Sequence, residues 1–272
     1  MTTRHPFTAL ISLIITLLFA VHQAAADHVA PGDQLIATSG FASLAIQLPQ
    51  HFYRGISDAA DFEKPAAANK VELLNSAEAA FKQADIQHQI ALAVSRALSE
   101  QDIQQLMLWY QSPTGKKISQ AQAHAASEEG FSAMMAQVND LLDQEQLLEL
   151  AQVMDKQLNF VEFIVDLQEY QAFAEYSAVR SFRQQALNID GFNERMKRRR
   201  NEMKFNAEQL VMISLAYAFR NVSAADIQAY EHFLQQPLTQ LYLKAAMRGL
   251  EVGKQQMVKH WLDNVDLHIA SE

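Results

Sequence analysis

Along this chain apolar residues recur at spacings of three and four, the period of a helix face, and no run of β-branched residues alternates between turn signals. Val71, Leu74, Ala77, Phe81 and Ala84 predict a first long helix. The phase then changes, and Ile86, Ile90, Ala93, Val94 and Ala97 carry a second stripe that Asp85 is placed to cap. Ile103, Leu106, Met107 and Tyr110 make a third face. Ile118, Ala121, Ala125, Met134, Met135, Val138 and Leu142 lie on one broad side and predict a single long helix. Leu147, Leu150, Ala151 and Met154 follow a start signal at Asp143 and Gln146. The densest aromatic face, Phe160, Phe163, Tyr170 and Phe173, starts at Asn159 with Glu162 and stops at Asn188 to Gly191. Upstream, residues 27–40 lack periodicity and are expected to be loose. Phe41 to Leu48 predicts a short helix, Pro49 a break or a first turn, and residues 65–68 a joint.

The helix starts are more specific than the stripes. Ser99 with Asp102 is a variant capping box, in which the hydroxyl accepts from the third backbone N–H and the carboxylate reaches back. Ser112 and Pro113 start the next helix as N-cap and first residue, where the missing proline N–H costs nothing. The same plan returns 124 positions later. Asn206 with Gln209 opens a helix bearing Leu210, Ile213, Ala216, Tyr217 and Arg220. Ser223 and Asp226 repeat the box, Ile227, Tyr230 and Leu234 repeat the face, and Pro237 opens or kinks a helix through Leu238, Leu241, Ala245, Met257 and Trp261. Residues 96–113 and 220–237 share seven identities, among them both members of the box and the proline. Trp109 also falls opposite Phe233. A duplication is the expectation, with a first helical unit over 69–158, a second over 159–272, and 27–68 as a loose N-terminal segment with short helices.

Trp109, Tyr110, Gln111, Ser112, Pro113, Thr114, Gly115 and Lys116 resemble the aromatic-Tyr-x-Ser-Pro-x-Gly-x-Lys signature of a secreted bacterial helical domain family of unknown function. The good match covers roughly residues 85–125. The second copy departs from it, with Gln236 in place of the serine and Thr239 in place of the glycine. Gln is a poor N-cap, so Pro237 is expected to kink a continuous helix where Pro113 starts one. The resemblance implies an all-helical envelope protein and supplies no activity.

Composition agrees with the period. Eight Gly and six Pro in 272 residues leave few turn formers, and the fold class is all-α, as two related multi-helix units in an orthogonal or bundle-like arrangement. Arg4, the uncharged run from Phe7 to Val21, and Ala24, Ala25 and Ala26 have the order of a secretory signal peptide cut after Ala26. That run is shorter than the roughly 20 residues a bilayer span needs. Export to the periplasm, with no transmembrane anchor in the mature protein, is the expectation. Without residues 1–26 the chain keeps 21 bases against 31 acids, a formal charge of −10. That balance argues against a nucleic-acid partner. Zero cysteines remove disulfides and thiolate metal sites together.

Motifs that carry chemistry are missing: no H-E-x-x-H, no G-x-S-x-G elbow, no phosphate-binding glycine loop. No cofactor, metal or catalytic residue is predicted. The charge anomaly is the tract Arg195, Lys197, Arg198, Arg199, Arg200 and Lys204. It suits an anionic membrane or lipopolysaccharide, or else a solvated helix face in which Glu194 and Glu202 pair with Arg198 at helical spacing. The reading that follows is a non-enzymatic periplasmic binding protein whose partner is an envelope protein or a lipid-like ligand. Its rivals are an envelope hydrolase using carboxylates and a peripheral protein docking through residues 195–204. Ser99, Asp102, Ser112, Pro113, Ser223, Asp226 and Pro237 are assigned to the scaffold.

Overall fold

The computed structural model describes residues 30–265, and among them the chain is helical with no strand, the all-α class the periodicity predicts. The candidate signal peptide, residues 1–26, lies outside the described residues. No helix among the described residues is long and apolar enough to cross a membrane.

The N-terminal segment departs from its expectation. Residues Pro31–Thr38 form helix α1, and Leu35 and Ile36 are buried within the core. Two adjacent apolar residues are too short a signal for periodicity to register, yet they are enough to dock one helical turn. Gly40 turns the chain at φ 90° into α2, Phe41–Glu63, which passes through Pro49 without ending. The ring forfeits one backbone bond to the preceding turn, and burial of Leu48, Pro49 and Phe52 offsets that loss.

Helices α3 (Ala67–Ala80) and α4 (Gln83–Ala97) follow; Asp85 lies in the first turn of α4, and Lys82 is its uncapped N-cap. Helix α5 (Glu100–Gln111) begins with the full capping box: Asp102 N donates to Ser99 Oγ at 3.2 Å, and Ser99 N donates to Asp102 Oδ2 at 2.9 Å. Helix α6 (Pro113–Ala126) begins with Gly115 N donating to Ser112 Oγ at 3.0 Å.

The single long helix expected beyond Pro113 is three. Ser127 accepts from Gly130 N at 3.0 Å and starts α7 (Glu128–Ala136), and α8 (Val138–Leu142) follows. A continuous apolar stripe cannot reveal these breaks, because the pieces keep one face toward the core. Helices α9 (Glu145–Leu158) and α10 (Phe160–Phe182) meet at Asn159, which is left-handed at φ 54° and makes no side-chain cap. The cap comes from behind, with Val161 N donating to Asp155 Oδ1 at 3.1 Å.

Two further signals change meaning. Asn188 is a start, its Oδ1 accepting from Gly191 N at 2.7 Å to open the 31-residue α11, Ile189–Phe219. Asn206 and Gln209 sit inside that helix. Helix α12 (Ala224–Gln235) starts at Ser223. Pro237 then opens α13 (Pro237–Asp263) after an extended Gln236, so it starts a helix as Pro113 does and kinks nothing. The fixed proline φ suits a first turn even where the preceding side chain supplies no cap.

Helix α13 is the structural axis, with Tyr242, Ala246, Leu250, Met257, Val258 and Trp261 all buried. Its closest neighbour is α4. A Cβ at Gly249 would lie 2.5 Å from Ile90 Cα, and one at Gly253 would lie 2.9 Å from Ile86 Cα. The two backbones touch there, which only glycine allows. Helix α11 packs on α6, and Trp109 of α5 stacks on Phe233 of α12 with centroids 3.8 Å apart and planes at 5°.

Candidate anion-binding groove

Beside the glycine crossing, α4 and α13 bound a groove of about 490 Å³. Leu92, Ala93 and Ala97 of α4 and Leu241, Ala245 and Val252 of α13 give it an apolar floor. Arg96, Lys244 and Arg248 line it too, and none of its lining residues is acidic. All three cations are exposed, and none makes an ion pair or hydrogen bond among the described residues. Arg96 has a local rationale, since it lies in the last turn of α4 where the helix dipole favours a cation. Lys244 and Arg248 have none. They stand four residues apart in the first half of α13, and like charges at that spacing destabilise a helix by about 0.2–0.5 kcal/mol. A local rule broken without a compensating contact, in an acidic chain, makes this face the candidate site.

A second groove, of about 480 Å³, lies between α6 and the end of α11. Six of its lining residues stand 124 positions from lining residues of the first, among them Arg220 for Arg96, Lys117 for Leu241, Gln120 for Lys244, Ala121 for Ala245 and His124 for Arg248. Here the cations are engaged. Arg220 folds over the Tyr217 ring at 3.5 Å and donates to the Tyr217 carbonyl. His124 stacks on the same ring. Lys117 Nζ lies 2.9 Å from Asp226 Oδ2, and Thr114 Oγ1 donates to Asp226 Oδ1 at 2.7 Å. Lys117 foremost, with the Ser223 and Thr114 hydroxyls, holds the Asp226 carboxyl down to about 2. Asp102, its equivalent, is lowered mainly by Ser99 and stays within its capping box. Asp226 N still donates to Ser223 Oγ at 3.2 Å. The return bond from the backbone N–H that completes the box at Ser99 is absent at Ser223 among the described residues, and the carboxylate turns across to α6.

The basic tract divides. Arg200 pairs with Glu162, Asp166 and Glu169 of α10 at 3.1, 3.0 and 2.6 Å, and Lys204 pairs with Glu162 at 2.5 Å. Arg195 lies 5.2 Å above the Tyr176 ring. Lys197, Arg198 and Arg199 face solvent, and the expected pairing of Arg198 with Glu194 and Glu202 is absent among the described residues. The acids that matter come from a neighbouring helix, which local spacing cannot show.

Other hollows offer less. One of about 880 Å³ lies between α10 and α13, where its cation Lys259 is paired with Asp263 at 2.5 Å. A small cavity near Tyr110, Tyr230 and Gln122 has about 40 Å³, room for a water rather than a ligand. Lys254 is wholly enclosed, 4.3 Å from the Tyr170 ring and 2.5 Å from Glu251. The two carboxyls that burial raises, Asp155 and Glu175, do not form a catalytic pair. Asp155 bonds Val161, and Val161 and Glu175 are separated along α10 by about 21 Å at 1.5 Å per residue.

Sequence reasoning missed the open groove because Arg96, Lys244 and Arg248 are scattered singly among apolar residues. The signal that could have found it was Lys244 and Arg248 on one helix face with no acid beside them. No curated protein and no solved structure matches the chain. Residues 81–144, from the end of α3 through α8 and including one wall of the open groove, are similar to a family described as an uncharacterized protein conserved in bacteria (DUF2059).

Proposed function

We propose that this protein is a non-enzymatic binding protein of the bacterial envelope, built from two related helical units, that takes an anionic ligand in the groove between α4 and α13. The observation that carries the reading is the set Arg96, Lys244 and Arg248: three cations over an apolar floor, without an ion pair among the described residues. The relation between units is supported by the two grooves, which share six lining positions at a single offset, and by the stacking of Trp109 on Phe233 at that same offset. Export to the periplasm rests on the character of residues 1–26.

Amide chemical-shift mapping at low ionic strength, with inorganic phosphate as the probe, tests the reading. Saturating shifts are expected on residues 89–97 and 241–252. They vanish in a variant carrying Arg96→Gln, Lys244→Gln and Arg248→Gln that melts at an unchanged temperature. Shifts centred on Lys197, Arg198 and Arg199, or spread over every basic side chain, refute it.

A further inference from the structure

Resting on that reading, we infer that the groove binds a single-chain amphiphile, with a phosphate monoester held by Arg96, Lys244 and Arg248 and an alkyl chain laid along the floor. The floor is what a simple anion site lacks. Leu241 is 45% exposed, and the half-buried Leu92 and Val252 continue the same strip. Water wets this strip in the free protein, so covering it is favourable by roughly 25 cal/mol per Å². The head is specified by charge: three cations match a group near −2 better than a carboxylate at −1.

Width argues against a protein partner. A helix with its side chains is 10–12 Å across. The trough between α4 and α13 is held narrow by the contact of Gly249 and Gly253 with Ile90 and Ile86, and Ala93, Ala97 and Ala245 line it with short side chains. Its volume of about 490 Å³ is in the small-molecule range. Tyr217 stands 124 positions from Ala93, and its buried ring lies under Arg220 and His124 rather than in the second groove.

Isothermal titration of the full chain with octyl and decyl phosphate, below their micelle concentrations, tests the assignment against inorganic phosphate, decanoate and neutral decyl maltoside. One decyl phosphate per chain is expected, with affinity rising about 3- to 4-fold per added methylene. Decanoate binds more weakly, and the maltoside at least 10-fold more weakly. Ala93→Tyr abolishes binding; Leu241→Asp, at an exposed site, serves the same purpose if the tyrosine variant does not fold. Inorganic phosphate binding as tightly as decyl phosphate leaves the anion site standing and removes the amphiphile. Equal binding of the maltoside, indifferent to either variant, means non-specific adsorption and overturns the inference. Flotation with anionic vesicles without uptake of monomeric alkyl phosphate replaces it with membrane docking. If no anion binds, the inference and the proposed function fall together.

Discussion

The groove between α4 and α13 and the groove between α6 and α11 are similar in size and share several lining positions 124 apart, yet the cations of the second are engaged and those of the first have no partner among the described residues. In the second, Arg220 covers the buried Tyr217 ring and Asp226 holds Lys117. In the first, Arg96 has no ring to cover and Asp102 remains inside its capping box. The same spacing of helix start, apolar face and proline serves both. What differs is whether the polar residues satisfy one another or are left for something else. A buried aromatic side chain and an internal ion pair make a site structural; their absence beside a cationic rim makes it available.

The largest expected effect comes from truncating the ring under Arg220. Tyr217→Ala removes a fully buried ring and is expected to lose about 3–5 kcal/mol in urea unfolding. The reverse change, Ala93→Tyr in the open groove, stays within about 1 kcal/mol, and a comparable loss at both sites would break the comparison. Gly249→Ala is next. The new methyl meets the Ile90 backbone, which cannot rotate away, and about 1–3 kcal/mol of stability is lost despite the gain in helix propensity. Ser99→Ala and Ser223→Ala each cost about 1 kcal/mol as lost N-caps.

The pH dependence of the urea midpoint separates the two serine–aspartate pairs. Burial first, and Arg54 second, hold the pKa of His51 in α2 down to about 4 from 6.5. The unfolded chain therefore binds the extra proton, and stability falls as pH drops from 6.5 to 4. Asp226 acts lower: its contribution is complete above 3.8 and is lost as pH falls through about 2. Asp226→Asn flattens the lower limb, whereas Asp102→Asn changes it less because no cation faces that carboxylate. An unchanged lower limb in Asp226→Asn would show that the link to α6 carries nothing. The smallest effect belongs to Arg198→Gln with Arg199→Gln, within about 0.5 kcal/mol, since neither side chain has a partner to lose. Arg200→Gln is the contrast within the same tract, because it leaves Glu162, Asp166 and Glu169 facing one another.

Much of the fold was legible in local signals. The helical class, the capping box at Ser99, and the starts at Ser112 and Ser223 are written in residues within a turn of one another, and each is where the pattern puts it. The misreadings share one cause. Asn159 and Asp143 look like caps, but Asp155 and backbone bonds supply what those ends need. Asn188 looks like a stop, but α10 has already ended at Phe182, and the residue caps the start of α11. The joints at Ser127 and Gln137 stay hidden because the apolar stripe continues through them.

The candidate site was less legible. The tract at 195–204 drew attention as a run of charge, whereas Arg96, Lys244 and Arg248 lie up to 152 positions apart and enter one groove only when α4 docks on α13.

The sequence by itself determined the helical class and the start signals at Ser99, Ser112 and Ser223, because capping and periodicity act over one or two turns. Tertiary structure alone decided which cations are satisfied. Arg200 and Lys117 find carboxylates on other helices, and Arg220 finds a ring. Arg96, Lys244 and Arg248 find none among the described residues. Pairing of charge depends on distances of a few ångströms between helices, and those are set by the contacts of Gly249, Gly253 and the core around α13 rather than by any local pattern.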